Sequence, residues 1–237
     1  CRQMVEAFAK AGVPLFVAYY RRGLPRFLKA KALIEEGRIG QVTAVNYRFT
    51  SPRHPREAGK PLPWRLVAEE AGGGLFLDLG CHTLDILDYM LGPLENVQGS
   101  AANLASDYDV EDSVAMLFRA GGALGAATWN FAGGAREDII EITGTEGRIA
   151  LSTFGNEPVA LETASGRETF DLPNPAHVQQ PLIQWIVRDL QGQGACPSTG
   201  ETAARTSRVI DTVLAGYYGG RDDAYWERPQ TWPGRRA

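Results

Sequence analysis

The sequence predicts an α+β fold, with a large, open, mainly antiparallel sheet that carries helices on one face. The first observation is a series of short strand-like runs between residues 97 and 171, separated by turn signals such as Gly121-Gly122 and Ser165-Gly166. Connections this short favour hairpins and therefore antiparallel pairing. The second observation is that helical patterns lie mainly before and after these runs, and such segregation is typical of α+β proteins.

The chain begins with a predicted helix and a predicted strand. The helix covers CRQMVEAFAKAG and ends at Gly12, and the apolar residues near one stripe of it are Met4, Val5, Phe8 and Ala9. The strand covers PLFVAYY, residues 14–20, whose nearly continuous apolar run is typical of a buried strand.

A second helix and a second strand follow, and then an irregular segment. Pro25 is a favoured helix-start residue, and the apolar residues after it repeat at helical spacing up to Gly37. Residues 41–50 alternate in the manner of a strand. A polar, proline-rich loop over 51–63 then leads to a third helix, GGGLFLDLGCHTLDILDYMLG, which spans residues 72–92 and opens with glycines.

The predicted sheet and two closing helices occupy the remainder of the chain. The strands are Val97–Leu104, Ser113–Arg119, Ala123–Phe131, Asp138–Gly144, Arg148–Ser152, Val159–Thr163 and Arg167–Asp171. The first closing helix, VQQPLIQWIVRDLQ, places together Leu182, Trp185, Ile186 and Leu190. The second closing helix covers GETAARTSRVIDTVLAGYY, and the final WERPQTWPGRRA reads as a loosely held tail.

Composition narrows the classes of function. The chain has 237 residues, a net charge of −4 and no basic run with interleaved aromatic residues, which excludes a nucleic-acid partner. No apolar run approaches the roughly 20 residues that a membrane span needs, and no signal-peptide pattern is present. The cysteines lie far apart at positions 1, 81 and 196, so we expect reduced thiols and a cytoplasmic location.

The glycine-opened helix carries a polar stripe in apolar surroundings. Successive helical residues are rotated by about 100°, so residues four apart differ by only about 40° and Asp78 and His82 project side by side. A buried carboxylate is costly unless it is paired, so the stripe must face a cleft, a subunit interface or a ligand. His82 beside Asp78 is therefore a candidate acid/base unit, and the glycines suit close approach of backbone to a ligand.

The residues alone leave other interpretations of this pair open. An Asp-x-x-x-His pair on a solvated helix is usually a surface pair. A zinc site built on Asp78 and His82 would need further ligands, and the remaining histidines, His54 and His177, have no supporting spacing. We therefore expect no metal, and the residues by themselves support an Asp–His pair facing a cleft.

A series of motifs resembles one enzyme family over essentially the whole chain. In order, the motifs are VAYYRRGLP, KALIEEGRIGQV, Trp64-Arg65 followed by GGGLFLDLGCHTLD, then TGTEGRI and QGACPSTGETAARTSRVIDTVLAGY. Their order and spacing resemble the glucose–fructose oxidoreductase / inositol dehydrogenase family, also called Gfo/Idh/MocA. The resemblance implies two domains, a Rossmann domain that binds NAD or NADP and an open-sheet domain that supplies the substrate cleft and often the oligomer interface.

The resemblance also implies roles for individual residues. His82 matches the acid/base histidine, and Asp78 matches the acid that orients it or touches the substrate. The residues that would lie along the cofactor are Tyr20, Arg21, Trp64 and Arg65. Arg22 and Tyr217 join Asp78 and His82 as candidate substrate-binding residues, whereas Asp85 matches a position that is more often structural, in helix packing or a local cap.

Two motifs of the family do not occur in this sequence, namely the Gly-x-Gly-x-x-Gly phosphate loop and the Glu-Lys-Pro motif with the central catalytic lysine. We therefore expect residues 1–22 to be the last helix and strand of a truncated Rossmann domain. Residues 23–237 would be the C-terminal substrate-binding and oligomerisation domain. We also expect the chain by itself to bind nicotinamide weakly and to be inactive.

The function that this reading predicts is hydride transfer between NAD(P) and a secondary alcohol carbon of a sugar, a polyol or a related hydroxylated ring. The enzyme would form a homo-oligomer through the open sheet. One alternative is an NAD-dependent glycoside hydrolase of the same family, which would show no net consumption of NAD. A second alternative is a non-catalytic module for sugar binding or oligomerisation.

Overall fold

A computed structural model of the protein describes residues 1–54, 61–222 and 224–235. In this part of the chain the strands are β1 (Val42–Thr50), β2 (Leu94–Ala102), β3 (Ser113–Ala120), β4 (Ala123–Asn130), β5 (Glu137–Gly144), β6 (Gly147–Leu151), β7 (Val159–Thr163) and β8 (Gly166–Phe170). They form an eight-stranded sheet in the order β2-β3-β4-β1-β5-β6-β7-β8. Every neighbouring pair is antiparallel except β1 with β4. The predicted α+β fold with a mainly antiparallel sheet is therefore confirmed.

The helices are α1 (Arg2–Ala11), α2 (Pro25–Glu35), the short α3 (Ala68–Ala71), α4 (Cys81–Leu91), α5 (Gln180–Leu190) and α6 (Gly200–Tyr218). A layer of three helices covers one face of the sheet: α6 packs on β2, α4 lies beside α6, and α2 packs between α4 and strands β6 and β7. Among the described residues, no helix is both long enough and apolar enough to cross a membrane.

Alternation along the strands explains why a single face is covered. In β3 the side chains of Val114, Met116 and Phe118 are buried while those between them are exposed, which is the period of two expected for a half-buried strand. At the sheet centre, the Trp129 ring lies 5.2 Å from Tyr47 and 4.9 Å from Phe76, measured between centroids. Phe76 belongs to the segment that leads into α4, so this contact fixes that segment against the sheet.

The opposite face of the sheet has no helix on it in the described part of the chain. At one side it presents apolar side chains, with Leu117 58% and Leu124 62% exposed. At the other side it presents a ladder of ion pairs, in which Arg48 contacts Glu137 and Glu141 at 3.1 and 3.0 Å. This face is therefore part apolar and part charged.

The predicted strand over 14–20 is not formed. Phe16 makes a single antiparallel bridge with Thr199, flanked by hydrogen bonds from Val17 N to Ser198 O and from Gly200 N to Leu15 O. The apolar run was read as a sheet strand, but its partner in space is the turn that precedes α6. The chain then continues into a 3-10 turn over Tyr20–Gly23.

Other predicted segments also differ in burial. Helix α1 forms, but Met4 and Phe8 of its apolar stripe are 55% and 39% exposed, and Leu190 of α5 is 63% exposed. The described part of the predicted loose tail is packed on the protein: Trp232 is 5% exposed and its Nε1 donates to the carbonyl of Tyr225 at 3.0 Å. Aromatic packing holds this segment against α6. The predicted loop over 51–63 lies partly outside the described residues.

Candidate active site

His82 lies in the first turn of α4, directly after a π-helical turn over Phe76–Gly80. Turns of this type occur frequently at functional sites. The preceding glycines are structurally required: Gly72 has a left-handed φ of +81°, and a Cβ on Gly74 would lie 2.5 Å from the carbonyl oxygen of Glu111. The glycine segment is therefore shaped by backbone contact within the protein.

Hydrogen bonds to Glu111 fix the position of this glycine segment. The buried carboxylate of Glu111 accepts hydrogen bonds from the Gly74 amide, 3.0 Å from each oxygen, and from the hydroxyl of Tyr218. The Gly72 carbonyl accepts from Arg221 Nη2 at 2.7 Å and from the hydroxyl of Tyr225. Sequence reasoning missed all of these supports. The signal available was the acidic Glu-Asp pair directly before an apolar strand.

The imidazole of His82 is enclosed by two tyrosines. The ring centroids of Tyr19 and Tyr20 lie 5.8 and 5.9 Å from it, both in edge-on geometry. The Nδ1 atom is buried and has no hydrogen-bond partner among the described residues. Burial, together with the positive charge of Arg21, lowers the pKa of His82 to about 4. The ring is therefore neutral at physiological pH and can accept a proton.

Cys81, the neighbour of His82, is not a nucleophile in this setting. Burial, with the negative charges of Asp78 and Asp85, raises the pKa of its thiol to about 12. Its Sγ donates to the Asp78 carbonyl at 3.3 Å. Since the thiolate is the reactive form of cysteine, this residue has a packing role.

Asp78 pairs with Arg65 and not with His82. The Arg65 Nε lies 2.7 Å from Asp78 Oδ2, and the two side chains are 48% and 29% exposed. No hydrogen bond or ion pair joins Asp78 to His82 in the described structure, so the predicted pairing is not formed. The carboxylate of Asp78, which lies within the π-helical turn, is instead engaged by the guanidinium of Arg65.

Trp64 and Arg65 form an exposed patch beside Asp78. The Arg65 guanidinium carbon lies 4.8 Å from the centre of the Trp64 ring, and the Trp64 side chain is 50% exposed. Tyr20 lies beside His82, and the charge of Arg21 acts on the same imidazole. The structure therefore groups the predicted cofactor residues in two sets around Asp78 and His82.

Arg22 has other partners. Its guanidinium makes a bidentate ion pair with Asp85, with Nη2–Oδ1 at 2.6 Å and Nε–Oδ2 at 2.9 Å, and its Nη1 donates to the Pro197 carbonyl at 2.6 Å. The arginine and aspartate side chains are only 2% and 1% exposed. Because the guanidinium is paired and almost fully buried, it is not accessible to a substrate, and we correct the prediction for Arg22 to a structural role. The ion pair places Asp85 in helix packing, as predicted.

Tyr217 also lies away from the site. It is 1% exposed, its hydroxyl donates to the Asp109 carbonyl at 2.5 Å, and its ring packs 4.8 Å from Tyr218. The tyrosine belongs to the core under β2 because α6 turns this side of the helix inward. The prediction that Tyr217 contacts substrate is therefore corrected to a packing role.

The site opens at the molecular surface. The Asp78 side chain is 29% exposed. A cavity of about 520 Å³ between α1 and α6 is separate from this site, since it is lined by other residues, among them Glu6 and Arg208. No group of three or more His, Cys, Asp or Glu side chains in the described residues is arranged to hold a metal ion. The chemistry that the site itself offers is proton exchange at His82 and polar contacts at Asp78 and Arg65.

Comparisons with known proteins identify relatives of this chain. An oxidoreductase from Formosa agariphila is 32% identical over 88% of this chain and 64% of its own length. A 1,5-anhydro-D-fructose reductase from Ensifer adhaerens is 31% identical over 84% of the chain and 61% of its own length. The chain thus spans less than two thirds of these relatives.

Structural similarity extends over the same region. An oxidoreductase from Agrobacterium radiobacter, solved in complex with NAD⁺, L-tartaric acid and magnesium, superimposes with a TM-score of 0.76 at 22% identity, over 90% of this chain and 65% of its own. The model of the GFO/IDH/MocA C-terminal domain matches residues 27–150, which is more than half of the chain. The protein therefore belongs to the Gfo/Idh/MocA family, and its sheet with the helix layer is the C-terminal domain of that family.

Proposed function

We propose that the protein is an NAD(P)-dependent oxidoreductase that transfers a hydride between nicotinamide and a secondary alcohol carbon of a sugar, a polyol or a related hydroxylated ring. The observation that carries this proposal is the neutral, half-buried imidazole of His82 at the surface of the domain. The relatives named above, which include a sugar reductase, support the same reaction class.

His82 is the residue to which we assign the proton. Oxidation of an alcohol removes a hydride from carbon and a proton from oxygen, and bound nicotinamide supplies the hydride chemistry. Because Nδ1 is buried, Nε2 is the atom that would take the proton from the substrate hydroxyl and return it during reduction. The tyrosine rings on either side limit rotation of the imidazole and keep it in place.

Asp78 and Arg65 would position the substrate. The Asp78 side chain pairs with Arg65 and is partly exposed, so its carboxylate oxygens can accept hydrogen bonds from ring hydroxyls. In this proposal Asp78 acts on the substrate directly and does not orient His82. The role of orienting the imidazole passes to Tyr19 and Tyr20.

The residues present fit a nicotinamide cofactor. The indole of Trp64 and the guanidinium of Arg65 offer adjacent exposed planar surfaces, which suit contact with an aromatic ring or a phosphate. Tyr20 and Arg21 would lie at the reactive end, beside His82. We retain residues 1–22 as a part of the dinucleotide-binding domain and residues 23–237 as the substrate domain, both as proposals.

We also propose a homo-oligomer formed through the open face of the sheet. The exposed apolar pair Leu117 and Leu124 would supply the buried centre of such an interface. The neighbouring ladder around Arg48 and Glu141 would supply its polar rim.

The test is turnover by the protein expressed from its complete reading frame. NADH and NADPH formation is measured with a panel of sugars and polyols, for the wild type and for His82→Asn. His177→Asn, which changes an exposed histidine in a loop, is the matched control. We expect turnover that His82→Asn reduces and His177→Asn retains. Absence of net NAD(P) reduction with every substrate, or equal turnover by both variants, contradicts the proposal.

A further inference from the structure

Two buried arginines beside His82 have no ion-pair partner. Arg21 is 8% exposed and Arg26 is 5% exposed, and neither forms a salt bridge with any carboxylate in the described residues. Arg22, between them in sequence, shows the usual arrangement, since it is paired with Asp85. A buried charge without a counter-charge is costly, so two of them at one place require an explanation.

The hydrogen bonds of these two arginines are few and go to neutral groups. Arg21 Nε and Arg26 Nη2 both donate to the carbonyl of Thr153 at 3.2 Å, and Arg26 Nη1 donates to the carbonyl of Gly155. Arg21 Nη1 and Arg26 Nε are buried and have no hydrogen-bond partner among the residues that the structure describes. Donors therefore remain unused on both guanidinium groups at the loop over 152–155.

Asp138 acts electrostatically on both arginines but forms no ion pair with either of them in the described structure. Asp138 accepts hydrogen bonds from the hydroxyls of Tyr47 and Ser152 at 3.1 and 2.9 Å. It also accepts from the backbone amides of Thr153, Phe154 and Gly155 at 3.1, 2.6 and 3.2 Å. Its oxygens are thus fully used in holding the loop.

Two carboxylates act on the arginines electrostatically. Asp138 acts on both guanidinium groups, and the exposed Glu157 acts on Arg26. Burial, followed by the charge of Arg21, lowers the pKa of Arg26. Burial, followed by the charge of Arg21, also lowers the pKa of His82, so the field of Arg21 reaches the candidate acid/base group.

The position of Arg21 connects this charge to the site. Its guanidinium carbon lies 4.8 Å from the centre of the Tyr20 ring, and that ring lies 5.9 Å from the His82 ring. Thr83, the residue after His82, has its Oγ1 3.3 Å from the Oγ1 of Thr153. The loop, the arginines and His82 therefore form one connected region.

We infer that Arg21 and Arg26 form an anion subsite beside His82 that takes the carboxylate of an acidic sugar or polyol, that is, of a sugar acid. A carboxylate matches the planar fork of a guanidinium and accepts charge-assisted hydrogen bonds from its unpaired donors, whereas a hydrogen bond to a neutral hydroxyl is weaker. This inference rests on the proposed function, which it narrows from hydroxylated rings and polyols in general to substrates that carry a carboxylate.

A matched pair of probes tests the inference. D-gluconate and D-glucitol share their hydroxyl pattern and differ by a carboxylate at one end. Binding of each to the 237-residue chain is measured by titration calorimetry, for the wild type, for Arg21→Gln and for Arg188→Gln, an exposed helix position. We expect gluconate to bind at least tenfold more tightly than glucitol. We expect Arg21→Gln to remove this preference and Arg188→Gln to retain it.

A second readout does not depend on activity. A carboxylate bound to Arg21 offsets the positive charge of the arginine, so gluconate should raise the pKa of His82. This pKa is measured from the NMR chemical shifts of the imidazole ring protons as the pH is varied. Arg21→Lys keeps the charge without the planar fork, and folding of each variant is checked by thermal unfolding. Equal binding of the two probes, or gluconate binding that Arg21→Gln leaves unchanged in a folded protein, overturns the inference.

Two further arms separate the sources of the anion and the two proposals. Inorganic phosphate that binds at Arg21 and excludes gluconate by more than tenfold would assign the subsite to a cofactor phosphate and overturn the inference. In the protein from the complete reading frame, turnover of glucitol without a preference for gluconate would contradict the anion subsite and support the proposed function. Arg21-dependent gluconate binding without any NAD(P) reduction would support the subsite and contradict the proposed function.

Discussion

Replacing Asp85 by asparagine should destabilise the protein strongly, because the change removes the bidentate partner of the buried Arg22 guanidinium and leaves only Asp88, 3.8 Å away, as a counter-charge. The pair has contacts of 2.6 to 3.1 Å and side-chain exposures of 2% and 1%. Removing one member of such a buried pair typically costs about 3–5 kcal/mol. Against a total stability of about 5–15 kcal/mol for a folded domain, that is a large fraction.

The assay is urea denaturation followed by circular dichroism. With a slope of about 2–3 kcal/mol/M, the expected loss shifts the midpoint of Asp85→Asn downward by about 1–2 M. Glu35→Gln is the control, since Glu35 makes an exposed helical pair with Lys31 that is worth only about 0.3–0.5 kcal/mol. Replacing both partners, as in Arg22→Met with Asp85→Leu, should recover most of the stability.

A small effect would refute this reasoning. The exposed control Glu35→Gln is expected to lose less than about 1 kcal/mol of unfolding free energy. If Asp85→Asn also loses less than this, the Arg22–Asp85 pair is solvated and does not join the Tyr20–Gly23 turn to α4. Because that turn carries Tyr20 and Arg21 against His82, the same variant should also disturb the environment of the imidazole.

Other predictions concern the site and the open sheet. The pKa of His82 is about 4 in the folded state against 6.5 for a free histidine, so the unfolded state takes up the proton first as the pH falls. The free energy of unfolding of the wild type, relative to that of His82→Asn, should therefore fall by up to about 3 kcal/mol from pH 7 to pH 4. A difference between the two proteins that stays constant with pH in urea unfolding would contradict this. Gly74→Ala should lower the melting temperature by several degrees, since the new Cβ would lie 2.5 Å from the Glu111 carbonyl oxygen. Gly134→Ala is the control, because a Cβ there would have no atom within 4 Å. Similar melting temperatures for both variants would argue against the close contact. Leu117→Lys should convert the proposed oligomer to monomers in sedimentation, and an unchanged mass would place the interface elsewhere.

The sheet was predictable because its signals are local. Alternation and glycine turns fix each of β3 to β8 within a residue or two of its predicted limits. Val159–Thr163 matches at both ends. Strand β2 begins at Leu94, earlier than predicted, since pairing with β3 extends it past the local pattern.

The site was predictable only in part, because its geometry depends on distant contacts. The spacing of Asp78 and His82 identified the polar stripe, but the ion pair of Asp78 with Arg65 depends on how two separate segments pack. The pairing of Arg22 with Asp85 and the unpaired state of Arg21 depend on how the turn packs on α4 and on the loop over 152–155. Such partners lie from 63 to 132 residues apart in sequence.

The role of His82 as the proton-exchanging residue is tested most directly by the pH dependence of NAD(P)-linked turnover in the protein from its complete reading frame. His82→Asn should lower kcat by about 10²–10⁴-fold and abolish the acidic limb of the kcat profile, while substrate KM changes little. His177→Asn should match the wild type. A His82→Asn enzyme with wild-type kcat and an unaltered pH profile would contradict the account.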